Sequence, residues 1–239
     1  MSRKSNPNAA VIASIVSDCS RASMLTALLD GRFHPASELA SMANIKPQTA
    51  SYHLSKMIEA GVIMMEKQGR HRYYGIRDQE VARVMESLLS IAPPVPISSL
   101  KQHTEDKKLR FARTCYDHLA GYAGVQVTES LIRMGMMEDD GEAFRITEKG
   151  GAFFAELQIN LIETKKKRRA YILKCLDWSE RRHHLAGALG NALLERMLEL
   201  GWMKRLPDTR AIHITEAGIA GLKETFEIDL TISDGVVTR

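Results

Sequence analysis

Three prolines in the four positions that follow Ala92 divide this sequence of 239 residues. Proline has no backbone N–H and disfavours helical backbone in the residue before it, so a helix cannot run through this segment. On both sides of it, apolar residues recur with a helical period. The sequence therefore predicts two domains, 9–91 and 105–230, joined by a proline-rich linker at 92–104. Residues 1–8 and 231–239 are expected to be a disordered start and a frayed tail.

The composition is that of a globular protein with a substantial core. Hydrophobic residues make up 44% of the chain and charged residues 26%. The net charge of +4 permits an anionic partner without requiring one. Charge alone does not predict DNA binding.

Cysteine usage and the lack of long apolar runs predict a cytoplasmic protein. Three cysteines are too few for a disulfide framework in a chain of this length, and their number is odd. No apolar core follows the basic start, and no apolar run reaches the roughly 20 residues of a membrane helix. We expect no membrane partner.

Residues 36–60 read as two helices joined by a tight turn. A short helix over 36–43 is followed by a turn at 44–46, and Pro47 stands where a first helical residue should be. The second helix has apolar residues on one side, at Ala50, Leu54, Met57 and Ile58. Its other side carries hydroxyls, an amide, an aromatic ring and one lysine, a set suited to a DNA major groove. A merely solvated face would show more Glu and Lys pairs.

A basic hairpin is predicted directly after that helix, over residues 62–76. Two runs typical of strands flank a turn at Gln68-Gly69, and Arg70, His71 and Arg72 cluster at the tip. Such a tip beside a groove-reading helix would grip phosphate or enter the minor groove.

From Lys46 to Ile76 the chain resembles the ArsR/SmtB family of bacterial winged-helix repressors. The resemblance rests on Thr-x-Ser-x-His-Leu-x-x-Met-x-x-Ala-Gly-Val-Ile and on Gly-Arg-x-x-Tyr-Tyr. It implies a winged helix-turn-helix domain over 9–91 that dimerises through its first and last helices, 9–17 and 78–91. The predicted DNA contacts are Lys46, Gln48, Thr49, Ser51, Tyr52, His53, Lys56, Arg70, His71 and Arg72.

Neither familiar metal site of that family is present in this sequence. The thiolate site uses cysteine in the helix before the recognition helix, and 37–45 has none. The other site uses Asp and His on the last helix, where 81–91 offers only Arg83 and Glu86. Arsenic or zinc sensing is therefore not inherited from the resemblance, and no cofactor is assigned.

The second half contains an internal repeat. The segment Cys115-Tyr-Asp-His-Leu-Ala-Gly is echoed by Cys175-Leu-Asp and, six residues later than in the first copy, by His184-Leu-Ala-Gly. In both copies a glycine follows the histidine by 17 residues, and an Ile-Thr-Glu-x-Gly motif comes later. We predict two copies of a helix–helix–hairpin unit, each a degenerate winged helix. The fold class is then mainly α with small β-hairpins (α+β).

The repeated residues form a candidate effector site. If the two copies meet, their Cys, Asp and His side chains could bind zinc or another transition metal. Buried packing of the thiols is the simpler interpretation, and thiol redox sensing is a further alternative. The candidate residues are Cys115, Asp117, His118, Cys175, Asp177 and His184.

These features predict a DNA-binding transcriptional regulator, specifically a dimeric repressor controlled by an effector in its C-terminal domain. The effector is either a small molecule in an apolar pocket or one of the metal and thiol alternatives. The basic run Lys165–Arg169 is a solvated face or a flanking DNA contact. A winged-helix module that binds protein is disfavoured because the predicted groove-reading face has no acid. An enzyme is not expected, since no phosphate loop or other catalytic motif accompanies the Cys and His residues.

Overall fold

The computed structural model describes residues 6–94, 96–233 and 236–238. The chain divides into two compact units between Ser87 and Leu88. Of the segments expected to be disordered, residues 1–5 lie outside the described part. So do residues 234, 235 and 239.

The N-terminal unit has the element order of a winged helix, in which a helix-turn-helix is followed by a hairpin and a closing helix. Its elements are α1 (Ala9–Val16), α2 (Cys19–Leu28), β1 (His34–Pro35), α3 (Ala36–Met42), α4 (Pro47–Glu59), β2 (Ile63–Gln68), β3 (His71–Ile76) and α5 (Gln79–Ile91). The three strands form one antiparallel sheet in the order β1-β3-β2.

Local sequence signals start and stop these helices. The Asp18 side chain accepts a hydrogen bond from the backbone N–H of Arg21 and so caps α2. Pro47 occupies the first turn of α4, and Gly61, with φ of +71°, follows its end. Of the predicted apolar stripe on α4, Leu54 and Met57 are buried. Ile58 is largely exposed, so its placement in the core was wrong.

In the C-terminal unit, the first helix after the prolines starts inside the predicted linker. Helix α6 (Leu100–Phe111) covers 100–104, where the sequence predicted linker, and it begins one residue after the capping residue Ser99. The prolines act only on the shorter segment between Ile91 and Ser99, in which position 95 lies outside the described residues.

Two similar element series follow, each running helix–hairpin–helix–hairpin–helix. Repeat 1 consists of α6, β4 (Arg113–Cys115), β5 (His118–Ala120), α7 (Gly121–Arg133), β6 (Met137–Asp139), β7 (Phe144–Ile146) and α8 (Glu148–Glu156). Repeat 2 consists of α9 (Leu161–Lys166), β8 (Leu173–Leu176), β9 (His183–Ala186), α10 (Gly187–Glu199), β10 (Met203–Arg205), β11 (Ile212–Ile214) and α11 (Glu216–Phe226). The chain continues into β12 (Thr231–Ser233) and β13 (Val236–Thr238), where the sequence predicted a frayed tail.

The predicted duplication is therefore present, but its internal order was wrong. Each unit was predicted as helix–helix–hairpin, whereas a hairpin containing Cys115 or Cys175 separates its first two helices. Tyr116, with φ of 59°, makes the tight turn that returns the chain on itself.

The two repeats pack against each other reciprocally. Strand β5 of repeat 1 contacts α10 of repeat 2, and β9 of repeat 2 contacts α7 of repeat 1. Glycine makes the contact inside each repeat close: a Cβ on Gly190 would lie 2.5 Å from the carbonyl oxygen of Leu185, and one on Gly124 would lie 2.5 Å from that of Leu119. One apolar core, containing Leu131, Leu189 and many others, spans both repeats.

In the described residues, the structure contains no single helix that is both long and apolar enough to cross a membrane. The pair α1 and α2, bent by 92° at its break, passes the same test of length and composition when the two helices are counted together.

Candidate functional site

The outward side of α4 carries the polar groups that the sequence assigned to groove reading. Gln48, Thr49, Ser51 and Lys56 are exposed, and the ring of Tyr52 is 60% exposed. The Ser51 hydroxyl donates to the carbonyl of Pro47, 3.0 Å away, which leaves its own oxygen free to accept from a base. This face therefore presents short hydroxyls and one aromatic ring to solvent.

The amino end of α4 adds a place for a phosphate. Among the described residues no side chain caps this end, and Pro47 opens the helix with Lys46 exposed beside it. Uncapped N–H groups at a helix start carry partial positive charge and bind anions. Lys46 would add its full charge to the same phosphate.

His53 departs from the predicted contact set. It lies on the buried side of α4 and is 8% exposed, with Nδ1 at 3.3 Å from Arg21 and 4.0 Å from the Asp18 carboxylate. Arg21 in turn donates to the carbonyl oxygens of Ser14 and Ile15. The assignment of His53 to DNA was wrong because the helical period turns it inward, where it ties α4 to α1 and α2.

The hairpin formed by β2 and β3 places the predicted basic tip in solvent. Gln68 pairs with His71 at the last register position before the turn, and Lys67 pairs with Arg72. Arg70, His71 and Arg72 are all exposed. Like charges opposite each other repel across a hairpin, and an anion would relieve that repulsion.

A stripe of exposed apolar residues runs along α5. Val84, Leu88 and Ile91 are spaced four and three residues apart, so they lie on one helical face, and Ile91 is 79% exposed. Val11 and Ile12 on α1 are also exposed. The predicted dimerisation helices thus both carry uncovered apolar side chains.

In the C-terminal unit, each repeat contributes one Cys–His pair from neighbouring strands. Cys115 and His118 are register partners in the β4–β5 hairpin, and Cys175 and His184 are partners in β8–β9. The two sulfur atoms lie 3.7 Å apart, and the two Nε2 atoms lie 3.1 Å apart. All four atoms are within 4.8 Å of one another. The structure therefore gathers four of the six predicted effector residues.

The other two predicted residues, Asp117 and Asp177, lie behind the histidine rings. A carboxylate oxygen of Asp117 is 3.5 Å from Nδ1 of His118, and one of Asp177 is 3.6 Å from Nδ1 of His184. We call Cys115, His118, Cys175 and His184 the Cys–His cluster. At these distances neither Nδ1 atom has a hydrogen-bond partner among the described residues, so the two aspartates act on the cluster through their charge.

Each aspartate is held by the opposite repeat. Asp177 accepts from the guanidinium of Arg113 at 2.9 Å and from the backbone N–H of Gly121 at 2.7 Å. Both carboxylate oxygens of Asp117 accept hydrogen bonds from the guanidinium of Arg169. Burial opposes the charge on Asp177. The charges of Arg113 and His184 and the hydrogen bonds from Ser179 and Glu180 together outweigh it and hold the pKa of Asp177 well below its usual range.

The pKa values of the two histidines are shifted in opposite directions. Burial disfavours charge on His118, yet the neighbouring Cys115 and Asp117 outweigh it and raise the pKa of His118 to about 9. Burial and then the facing His118 lower the pKa of His184 well below its ordinary value. Two Nε2 atoms that face each other at this distance cannot both be protonated without repulsion.

Comparison with known sequences assigns nearly the whole chain to a family of regulators. A family described as a helix-turn-helix domain matches residues 16–66. The HTH-type transcriptional regulator YdfF of Bacillus subtilis strain 168 is 56% identical over 227 residues, which cover 95% of this chain and 99% of YdfF. The chain belongs to the HTH-type transcriptional regulators. The predicted helix-turn-helix transcriptional regulator is thereby confirmed.

Three solved structures are similar to part of the regulator. The cadmium sensor CMTR of Mycobacterium tuberculosis is 26% identical with a TM-score of 0.31, covering 38% of this chain and 98% of that one. A homodimeric winged helix-turn-helix DNA-binding domain of Mycobacterium bovis is 22% identical with a TM-score of 0.32, covering 37% and 86%. Reduced HlyU of Vibrio cholerae is 23% identical with a TM-score of 0.33, covering 36% and 90%. Because these TM-scores lie below 0.5, no property of the three proteins is transferred to the regulator.

Sequence reasoning missed the arginines that hold the two aspartates. Arg113 is fully buried, two residues before Cys115, and it also lies 4.2 Å from the centre of the Trp178 ring. Arg169 was read as the end of a solvated basic run, but it is partly buried against Asp117. Their partners lie more than 50 residues away in sequence, so no local pattern identified them.

Proposed function

We propose that this regulator is a homodimeric, non-enzymatic repressor that binds operator DNA in the cytoplasm and is controlled by an effector in its C-terminal unit. The observation that carries the proposal is the exposed, acid-free face from Gln48 to Lys56, followed in sequence by an exposed basic wing tip. Hydroxyl and amide groups read base edges, and the positive groups bind phosphate.

Base and phosphate contacts divide between the two elements. Gln48, Thr49, Ser51 and Tyr52 would contact base edges from α4 in the major groove. Phosphate contacts are assigned to Lys46, Lys56, Arg70 and Arg72, and His71 joins them at the wing. The exposed ion pair between Lys56 and Glu59, at 3.2 Å, would open when Lys56 turns to a phosphate, at little cost because exposed pairs contribute little.

Dimer formation is supported by the uncovered apolar residues of α1 and α5. Val84, Leu88 and Ile91 form one stripe, and burying such a stripe against a second copy removes apolar surface from water. A two-fold dimer presents two recognition helices to successive major grooves, which doubles the contacted site. An effector acts on this dimer by binding its DNA-competent and incompetent forms with different affinity.

The test begins with capture of genomic DNA fragments by the full-length regulator. Binding of the captured fragments is then compared by gel shift for the wild type and Ser51→Ala/Tyr52→Ala, with Ser23→Ala on α2 as the control. Each base contact is worth about 1–3 kcal/mol, so the double variant should bind at least about 30-fold more weakly. Sedimentation should show an unchanged dimer. Unchanged affinity in the double variant would overturn the assigned recognition helix.

A further inference from the structure

We propose that the Cys–His cluster is a tetrahedral transition-metal site that binds one zinc(II) ion and thereby joins repeat 1 to repeat 2. This inference goes beyond the proposed function and does not depend on DNA binding. It assigns chemistry to Cys115, His118, Cys175 and His184, which form the cluster.

The distances between ligand atoms match a tetrahedral site. With bonds of about 2.3 Å to sulfur and about 2.0–2.1 Å to nitrogen, a tetrahedron places its two sulfur atoms about 3.8 Å apart and its two nitrogen atoms about 3.3 Å apart. The observed separations are 3.7 Å for the sulfur atoms and 3.1 Å for the nitrogen atoms. A central ion would require shifts of a few tenths of an ångström between atoms of the same kind. The sulfur–nitrogen separations, which all lie within 4.8 Å, would have to close to about 3.6 Å.

The histidine rings are oriented as metal ligands are. A metal-bound histidine usually directs its second nitrogen at a carboxylate, which fixes the ring and its tautomer. Here the carboxylates of Asp117 and Asp177 face the Nδ1 atoms of His118 and His184. Binding of a cation would displace the second proton of His118. With the remaining proton of each ring on Nδ1, both Nε2 lone pairs would point at the ion.

Packing alone does not account for this arrangement. A buried thiol can serve as a small apolar side chain, and two thiols could also form a disulfide. A hydrogen bond between the two Nε2 atoms, 3.1 Å apart, accounts for the facing histidines but not for the two sulfur atoms gathered beside them. The two aspartates are in turn held by Arg113 and Arg169 of the opposite repeats.

The ligand set favours zinc and a closed site. Thiolate and imidazole ligands suit zinc, whereas magnesium and calcium prefer oxygen. Four protein ligands complete a tetrahedron, so no position remains for substrate or water, as in structural zinc sites. Cys115, His118 and His184 are buried, and Cys175 is partly buried.

The site would act as a cross-link between the repeats. Each repeat supplies one Cys–His pair, from the hairpin β4–β5 or from β8–β9. The spacing is two residues between Cys115 and His118 and eight between Cys175 and His184. Because neither pair can complete a tetrahedron, the ion requires both hairpins in their observed places.

The first experiment measures metal content of the full-length regulator purified under reducing conditions and incubated with zinc(II), then freed of loose metal by gel filtration. Elemental analysis should find about one zinc per chain in the wild type. The variants Cys115→Ser and His184→Gln should fall to buffer background. Cys19→Ser and His213→Gln remove an exposed cysteine and an exposed histidine and should keep the full content.

A second measurement does not rely on variants that could fail to fold. In the wild type, a thiol reagent should modify the partly buried Cys175 once a chelator has removed the ion but not while zinc is bound. The exposed Cys19 should react in both states. Cobalt(II) in place of zinc should give the intense visible absorption of tetrahedral coordination, with a thiolate-to-cobalt charge-transfer band.

Three results would overturn the metal site. One is a wild type that retains no zinc or cobalt, and another is a cobalt spectrum without thiolate charge transfer. The third is a protein whose mass is lower by two hydrogens under the reducing conditions, which would identify a Cys115–Cys175 disulfide instead. None of these readouts involves DNA, so failure here is distinct from failure of the gel-shift test.

Discussion

Helix α4 of the N-terminal unit and helices α7 and α10 of the two repeats occupy the same place in their element series, directly before a hairpin. All three are 13 residues long. In α4 four residues are buried, whereas α7 buries eight and α10 buries seven. A helix buried on one face can present the other to a ligand, and a helix buried nearly all round cannot.

The difference shows how one scaffold serves two purposes. The exposed side of α4 holds hydroxyls and Tyr52, while the corresponding faces of α7 and α10 pack on the hairpins β8–β9 and β4–β5. Thr128 on α7 even turns its hydroxyl to the other repeat, where it accepts from the backbone N–H of Leu185 at 2.8 Å. The helices of the repeats are thus structural elements of the C-terminal core, whereas α4 keeps an exposed polar face for the proposed groove reading.

The contrast between the exposed face of α4 and the tightly buried C-terminal unit would be contradicted most clearly if that unit tolerated loss of a buried charge. We expect Arg113→Met to lower the free energy of unfolding by about 3–5 kcal/mol, because it leaves Asp177 charged and buried without its main partner. Both tryptophans, Trp178 and Trp202, lie in this unit, so their fluorescence in urea follows its unfolding. The exposed Arg168→Met is the matched control and should unfold like the wild type. A loss below about 1 kcal/mol for Arg113→Met would contradict the assigned ion pair.

A matched pair of apolar truncations compares the two kinds of helix directly. Leu131 on α7 is fully buried, so Leu131→Ala should cost about 2–5 kcal/mol of unfolding free energy. Ile58 on α4 is 40% exposed, and Ile58→Ala should cost less than about 1 kcal/mol. Urea unfolding followed by circular dichroism measures both. Equal losses would remove the distinction between these helices.

The salt dependence of DNA affinity tests whether the wing tip contacts phosphate. Arg70→Ala and Arg72→Ala should each weaken binding to all DNA sequences alike and reduce the slope of log K against log salt by about 1, because one phosphate contact is lost. Arg83→Ala, on α5, should leave the slope unchanged. Fluorescence anisotropy with captured DNA over a salt series gives the slopes, and an unaltered slope in both wing variants would place the tip away from the backbone.

The smallest expected effect is the pH dependence of a histidine in the N-terminal unit. His34 donates through one or both ring nitrogens to Asp30 at 2.8 Å and Glu38 at 2.9 Å. Burial opposes its charge, but the hydrogen bond and charge of Asp30 outweigh it and raise the pKa of His34 above the ordinary 6.5. The stabilisation is full below pH 6.5 and is lost as the pH rises through the raised folded-state pKa.

The measurement is the difference in unfolding free energy between the wild type and His34→Gln. This difference should shrink as the pH is raised from 6.5, since only the wild type loses an ion pair. A difference that stays constant or grows over this range would show that the ring is neutral in the folded protein.

Local sequence signals were sufficient for the DNA-binding half. Period, a proline at the helix start and glycines at the turns fixed α4 and the wing, because each of these signals acts within a few residues. His53 and Ile58 were misplaced because they lie near the edge of the apolar stripe. Whether a side chain there is buried or exposed depends on the side chains of the neighbouring helix. Arg21, on α2, is what draws His53 inward.

The C-terminal half was harder because its determinants act across the repeats. Matching spacing revealed the duplication and the six candidate effector-site residues. It could not reveal that Cys115 begins a turn into a second strand, since a Cys–Tyr–Asp–His run has no distinct local preference. Asp177 finds its partner Arg113 64 residues away, and only the folded chain brings such groups together.

The origin of the Cys–His cluster in two repeats also sets an order of events during synthesis. His184 is made 66 residues after His118. At about 5–20 residues per second, translation separates them by roughly 3–13 s. During that time the thiol of Cys115 and, once it has been made, the apolar side of α7 lack the surface that later covers them. The newborn first repeat therefore exposes a thiol and an apolar helix face until β9 is made.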